Sequence, residues 1–347
     1  MKKSIIALAA LGAFAGAASA QSSVTLYGRV DSNVAYTTPG SNVNRGDGVW
    51  ALNEGGSRTG AGGSRWGLRG SEDLGGGLSA YFQLENGFDA DTGASTAGVQ
   101  FGRTALVALR SVSLGDVRFG RQDTFSRLMN VNFSDSTGLG EMKIDEAVGA
   151  GSGRPLFQSY GQRVNNAVQY ISPNLSGFQL AAMIGAGEGA TARYQGAMAS
   201  YRQGPLAVAL SYEAYDSFGT RTSAFNDLIH IGANYNFGFA TVYAAYQTTS
   251  DFGANLGAAS PIRDYDAYNV AVMVPFGAFS LRAQYTGAKY DLVAGGSQDA
   301  SKYGVSARYQ LSKRTMLYSA ITQRSGDGKE NFAVKRDITL LGLAHNF

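Results

Sequence analysis

Apolar and polar residues alternate along most of this chain with a period of two, in runs bounded by glycine-rich punctuation. Over 64–72, Trp66 and Leu68 fall on one face while Arg65, Gly67 and Arg69 fall on the other. Over 301–312, Tyr303, Val305, Ala307 and Tyr309 oppose Lys302, Ser306 and Arg308. Successive side chains of a strand point to opposite faces, so each such run predicts a β-strand with one apolar and one wet face.

Seven short turn signals divide these runs: Leu74-Gly75-Gly76-Gly77, Ser113-Leu114-Gly115-Asp116, Pro173-Asn174-Leu175-Ser176-Gly177, Gln203-Gly204-Pro205, Asn236-Phe237-Gly238-Phe239, Pro275-Phe276-Gly277-Ala278 and Ser312-Lys313-Arg314. Each lies between two runs of about ten residues, the length a tilted strand needs to cross a hydrocarbon layer. Seven tight turns alternating with eight longer, polar connections make fifteen links, which join sixteen strands. The expected strands are 22–37, 64–72, 78–89, 101–111, 116–124, 164–172, 178–187, 194–203, 206–216, 227–237, 239–250, 266–276, 279–290, 301–312, 315–325 and 337–347. An even count is what a single-chain bacterial barrel requires.

Alternation alone does not separate a soluble sandwich, whose apolar face meets a second sheet, from a barrel whose apolar face meets lipid. Two features favour the barrel. Aromatic residues gather near strand ends, at Tyr170, Tyr201, Tyr235, Phe237 and Phe347, as interfacial girdles do. The sequence also closes on Leu343-Ala344-His345-Asn346-Phe347, a β-patterned stretch with an aromatic ring at its last position. Soluble domains let such residues fray, so Phe347 is expected to lock a last strand into a closed sheet.

Composition sharpens this picture. Forty-seven glycines, six prolines, 19 Tyr and 18 Phe suit a turn-rich β protein. Met1-Lys2-Lys3, an apolar run and Ala18-Ser19-Ala20 have the plan of a secretory signal peptide over residues 1–20, leaving 21–347 as the mature chain. The apolar run is shorter than the ~20 residues of a spanning helix. Losing Lys2 and Lys3 lowers the formal charge from +3 to +1, which argues for no nucleic-acid partner. Cysteine is absent, so disulfides and thiolate metal sites are excluded. No metal or other cofactor is expected.

The longest interval between strands runs over 123–163. Connections of that length are usually functional or disordered. This one carries Phe125, Leu128, Met129, Phe133, Met142, Ile144 and Phe157, which could pack, together with the carboxylates Asp135, Glu141, Asp145 and Glu146.

Val24-Thr25-Leu26-Tyr27-Gly28-Arg29, Ser64-Arg65-Trp66-Gly67-Leu68-Arg69-Gly70-Ser71-Glu72-Asp73-Leu74-Gly75-Gly76-Gly77, Val117-Arg118-Phe119-Gly120-Arg121-Gln122, Asn165-Asn166-Ala167-Val168-Gln169-Tyr170 and Leu311-Ser312-Lys313-Arg314-Thr315 occur in this order along the mature chain. Together with the terminal Phe, they resemble the Gram-negative trimeric general porins, in particular the β-proteobacterial branch, which includes anion-selective members. The resemblance implies an all-β fold, a 16-stranded antiparallel transmembrane β-barrel with its third extracellular loop folded inward as a constriction (123–163). It further implies a homotrimer in the bacterial outer membrane, in contact with lipid and lipopolysaccharide and permeated by ions and small hydrophilic solutes.

In that family an arginine cluster on the barrel wall faces acidic groups of the inward loop. Position by position, the cluster corresponds to Arg29, Arg65, Arg103 and Arg163. Alternation independently puts Arg29 opposite Leu26 and Gly28, and Arg65 opposite Trp66 and Leu68. The spacing from Arg103 to the following turn is one residue longer than the family pattern, so a bulge or register shift is expected there. The loop lacks the Pro-Glu-Phe-Gly-Gly tip of the family's enterobacterial branch, which leaves Asp135, Glu141 and Asp145 as the candidate acidic partners. Arg308 shares the wet face but lies outside the matching positions, so its part in selectivity is expected to be smaller. Guanidinium groups stay charged, and rings of them are a recurrent device of anion pores.

An enzyme is not expected. Only two histidines, His230 and His345, could act as bases, and no nucleophile and orienting partner stand out near either. The expectation is a general diffusion channel with some preference for anions. The alternatives are a substrate-specific channel on the same fold, or a barrel selected for adhesion, phage or immune contact through its loops.

Overall fold

A computed structural model describes residues 23–38, 48–53, 61–138, 140–144, 156–157, 162–188, 193–216, 225–250, 262–326 and 337–347. The proposed signal peptide and Asp145 lie outside them. Seventeen strands join one antiparallel sheet. They are β1 (Ser23–Thr37), β2 (Val49–Asn53), β3 (Arg65–Gly75), β4 (Leu78–Gly87), β5 (Thr104–Ser111), β6 (Gly115–Asp123), β7 (Arg163–Ile171), β8 (Phe178–Gly185), β9 (Tyr194–Gln203), β10 (Leu206–Asp216), β11 (Phe225–Asn236), β12 (Thr241–Thr249), β13 (Ile262–Phe276), β14 (Phe279–Leu292), β15 (Ser297–Gln310), β16 (Thr315–Gly326) and β17 (Ile338–Asn346).

Apart from β2 and β3, which both pair with β1, consecutive strands pair with each other, and β17 returns to β1 over Arg29↔Asn346 to Thr37↔Ile338. The sheet therefore closes on itself and leaves no long unpaired edge. Its seventeen strands occupy sixteen lanes. β1 pairs with β3 over Ser23 to Arg29 and with β2 over Asn33 to Thr37, so β2 continues the lane of β3 at another height. All seven tight turns fall where the glycine-rich signals stand.

The structure departs from the expected layout in three places. β2 falls inside what reads as a loop in the sequence, and it forms because its five residues meet the free edge left by β1. The connection expected over 291–300 shrinks to the turn at 293–296, since β14 and β15 stay paired out to Asp291↔Ser297. The ladder beside Arg103 is regular from Glu85↔Thr104 to Leu78↔Ser111, so the bulge expected there is absent. The neighbouring register shift lies between β6 and β7, at Gly120/Gln122, with others at Asp73/Gly75 and Ile262/Asp264. Ahead of β5, Phe101 has a φ of 54°.

Alternation sorts the two faces as expected. Val24, Leu26, Val30 and Val34 of β1 and Tyr303, Val305 and Tyr309 of β15 are exposed on the outer face. An apolar band of this extent calls for a non-aqueous neighbour. Aromatic pairs crowd its tight-turn end: Phe178 with Tyr201, Tyr235 with Phe237 and Phe279 with Tyr309, at ring centroid separations of 4.4, 4.6 and 4.3 Å. Tyr170 caps the same rim by donating its O–H to the Leu114 carbonyl at 2.8 Å.

Candidate functional site

The opposite, polar face of the sheet is covered by the segment that follows β6. Thr124 caps a short helix, α1 (Phe125–Met129), by accepting the Arg127 N–H, and a π turn continues over Asn130–Ser134. Phe125, Met129, Phe133, Met142, Ile144 and Phe157 are all buried, which matches the apolar content of this stretch. Phe125 packs with Val164, Ala181 and Tyr194, Phe157 and Ile144 with Ala245, Ala267 and Tyr290, and Met142 with Ala35, Ala61 and Ala320. The wall positions beneath the loop are mostly alanines, whose small side chains leave room for it. The partly buried Leu128 completes the first of these clusters.

Polar side chains of the wall then take up the loop backbone. Asn269 donates to the Ser134 carbonyl at 2.8 Å, Gln284 to the Met142 carbonyl at 2.8 Å, Lys302 to the Lys143 carbonyl at 3.0 Å and Arg282 to the Ser136 carbonyl at 3.1 Å. Gln284 also accepts from the Ser136 hydroxyl at 3.0 Å. His230 is fully buried, 2.9 Å from the Ser134 hydroxyl and with its ring 5.3 Å from that of Phe157. All these wall residues alternate with the outer band, so the loop lies on the face enclosed by the closed sheet. The other histidine, His345, sits at the exposed rim, with Nδ1 2.8 Å from the Thr315 hydroxyl.

The four arginines singled out in the sequence lie on the same enclosed face. Arg29 on β1 donates through Nε to Asn346 Oδ1 at 2.7 Å and through Nη1 to the Ala61 carbonyl. Arg65, the first residue of β3, donates to the Gly62 carbonyl at 3.1 Å. Arg103, just ahead of β5, pairs with Glu85 at 2.5 Å, and Arg65 approaches the other oxygen of Glu85 at 3.8 Å. Arg163 opens β7 and pairs with Asp123 at 3.0 Å, a carboxylate it shares with Arg127 at 3.3 Å.

The acidic partners differ from those expected. Arg65 and Arg103 meet Glu85 of β4, and Arg163 meets Asp123 of β6. Alternation puts Glu85 on the wet face, and that was the available signal. Of the loop carboxylates, Glu141 is fully buried as a side chain and forms a two-bond pair with Arg308, at 2.8 and 2.6 Å; Arg308 also donates to the Thr137 carbonyl at 2.9 Å. Asp135 is turned back on its own segment. One oxygen accepts the Thr137 N–H and O–H, both at 2.6 Å, and the other accepts the Ile144 N–H at 2.9 Å. These bonds fold the loop, and Asp135 also lies within electrostatic reach of Arg282 and Arg308.

Arg308 therefore belongs to the same constellation as the four wall arginines. Arg29 lies within electrostatic reach of both Arg103 and Arg308, Arg65 of Arg29 and Arg103, Arg163 of Arg103, and Arg282 of Arg308. The result is a continuous arc of arginines from β7 round to β14. Arg65 and Arg103 share Glu85, and Arg163 and Arg127 share Asp123, so the arc carries more positive than negative charge.

The sequence profile of the Gram-negative porin family matches residues 7–329. Outer membrane porin protein 32 of Delftia acidovorans is 36% identical over 357 residues, covering 99% of this chain and 92% of that protein. An outer membrane porin protein of Bordetella pertussis is 31% identical over the full length of both chains. Among solved structures, an anion-selective porin from Comamonas acidovorans superposes with a TM-score of 0.74 and 29% identity, covering 94% of this chain and all of the other. The chain belongs to the Gram-negative porin family and is a β-barrel of the bacterial outer membrane.

Proposed function

We propose that this porin forms a homotrimer of water-filled channels that admit ions and small hydrophilic solutes with a preference for anions. On this reading, residues 1–20 are removed on export, residues 123–163 narrow the lumen, and the outer band meets lipid and lipopolysaccharide. The channel catalyses no reaction. The observation that carries the anion preference is the arginine arc. Its ion-paired carboxylates, Glu85, Asp123 and Glu141, are held by arginines, and the arginines still outnumber the acids of the arc, so the remaining positive charge is what a permeating ion meets. At physiological salt the Debye length is about 8 Å, so charges on the wall of a narrowed lumen act on every ion that passes. The anion-selective porin from Comamonas acidovorans supports the same reading, being 29% identical over 94% of this chain.

Reconstitution in a planar bilayer under a salt gradient tests all three parts. Conductance steps in groups of three support the trimer, and the sign of the zero-current potential reports the preferred ion. A cation-directed potential sinks the anion preference, and single independent steps sink the trimer.

A further inference from the structure

A second element besides the long loop is fastened to the enclosed face. Ahead of β3 the chain turns at 61–64 against β1, and Asp31 holds it there. The buried Asp31 carboxylate accepts the Gly63 N–H at 3.2 Å and the Tyr318 O–H at 2.6 Å. Its backbone N–H donates to Ser64 Oγ at 3.0 Å, and the Ser64 hydroxyl donates to the Asp31 carbonyl at 3.0 Å. Gly62 and Gly63 have φ of 119° and 82°, a path that residues bearing a β-carbon rarely follow. This path turns the carbonyls of 61–63 toward the arginines. Arg29 donates to Ala61, and Arg65 donates to Gly62 at 3.1 Å and to Gly63 at 3.4 Å.

The chemistry of these acceptors matters. A long guanidinium side chain has many rotamers, so it needs a partner to stay in place. A carboxylate partner orients it and cancels its field, whereas a neutral carbonyl orients it and leaves the charge available. Arg65 has the cancelling alternative at hand in Glu85, 3.8 Å away. At 3.8 Å this pairing is loose, and loss of the turn's carbonyls would leave Arg65 free to close it.

We propose that Asp31 is a positioning residue for ion selectivity: it fastens the turn at 61–64 so that neutral carbonyls hold Arg29 and Arg65 in place. Asp31 acts through the turn, and the proposal rests on the reading of the arginine arc as the selectivity filter.

The test cuts the fastening without changing charge. In the full chain, the double change Ser64→Ala with Tyr318→Phe should move the zero-current potential toward the cation side. Asp31→Asn should move it the same way, although removing a negative charge would by itself favour anions. An independent readout uses the absence of cysteine: Ala61→Cys supplies a single thiol at a position only 6% exposed. Its alkylation should be slow with the fastening intact and fast in the double-change background. The proposal is overturned if the double change keeps the native potential while Asp31→Asn becomes more anion-preferring, for then Asp31 acts only through its own charge. Equal alkylation in both backgrounds overturns it as well. A native channel without ion preference would defeat the filter reading, and the alkylation contrast would still decide the fastening. If the double change fails to assemble, Tyr318→Phe alone carries both readouts.

Discussion

Gly28 and Phe347 bond to each other through both backbone groups: the Gly28 N–H donates to the Phe347 carbonyl at 3.1 Å, and the Phe347 N–H donates to the Gly28 carbonyl at 3.0 Å. The Phe347 ring lies over Gly28, so near that a β-carbon there would stand 2.4 Å from the ring and 2.6 Å from the Arg65 carbonyl. This pair joins Phe347 to the first strand and extends the closing ladder by one step beyond Arg29↔Asn346.

Deleting Phe347 should therefore impair assembly, because the closing pair loses two ladder bonds and the ring that covers Gly28. Gly28→Val should do the same by another route, since the ring can swing aside but the Arg65 carbonyl on the neighbouring strand cannot. The measurement is the fraction of membrane-inserted, heat-modifiable protein. Native levels in both variants would remove the closure role.

Shortening the loop by about ten residues around Glu141 should raise single-channel conductance, because the segment covers the enclosed face. Arg308→Gln offers a milder version. It leaves a buried carboxylate unpaired, which costs about 3–5 kcal/mol in a dry site and less beside a water-filled lumen. The expected result is noisier current, together with a lower anion preference. Quiet, native conductance in both would place the loop outside the permeation path.

Replacing Arg65 and Arg163 with neutral residues should lower the anion-to-cation permeability ratio. The loss should grow at low salt, because the Debye length reaches about 30 Å at 0.01 M and wall charges then act across the lumen. Arg308 cannot serve as an inert control, being tied to Glu141 and within reach of Arg29. Arg110 is a better one: it is half-exposed beside the tight turn after β5 and shares Asp116 with Arg118. A larger shift from Arg110→Gln than from the double change would assign the filter elsewhere.

Glu85→Gln should act with the opposite sign. It removes the carboxylate that Arg65 and Arg103 share, so positive charge in the arc rises and anion preference should increase. Zero-current potentials measured alongside the arginine changes make the comparison direct. A fall in anion preference would mean that Glu85 serves mainly to hold the two arginines in position.

Strand number, strand face and the wet-side placement of Arg29, Arg65 and Arg308 were legible in the alternation. Each position meets its own surroundings, apolar outside or polar within, and that requirement is local. β2 was not legible, because a five-residue strand depends on the free edge that β1 offers it. The turn at 293–296 was hidden for the same reason, since the outer pairs of β14 and β15 hold each other in a stretch that reads as loop.

The spacing of the strands marked the long loop, the family resemblance identified the arginines, and alternation agreed on two of the four. Their partners were another matter. Glu141 meets Arg308 across 167 positions, and Asp31 meets Tyr318 across 287. Asp135, equally acidic and on the same loop, folds back on Thr137 and Ile144. Which carboxylate reaches which arginine depends on the loop's path over Ala245, Ala267 and Ala320, and that path exists only once the barrel has closed. The sequence by itself determined a two-faced sheet with arginines on its wet side, because those features follow from residue-by-residue solvation, while its closure was signalled by the terminal Phe347, the aromatic girdles and the family resemblance. Only the tertiary structure decided how those charges are paired, because pairing is a property of distances between strands and loop that no local pattern encodes.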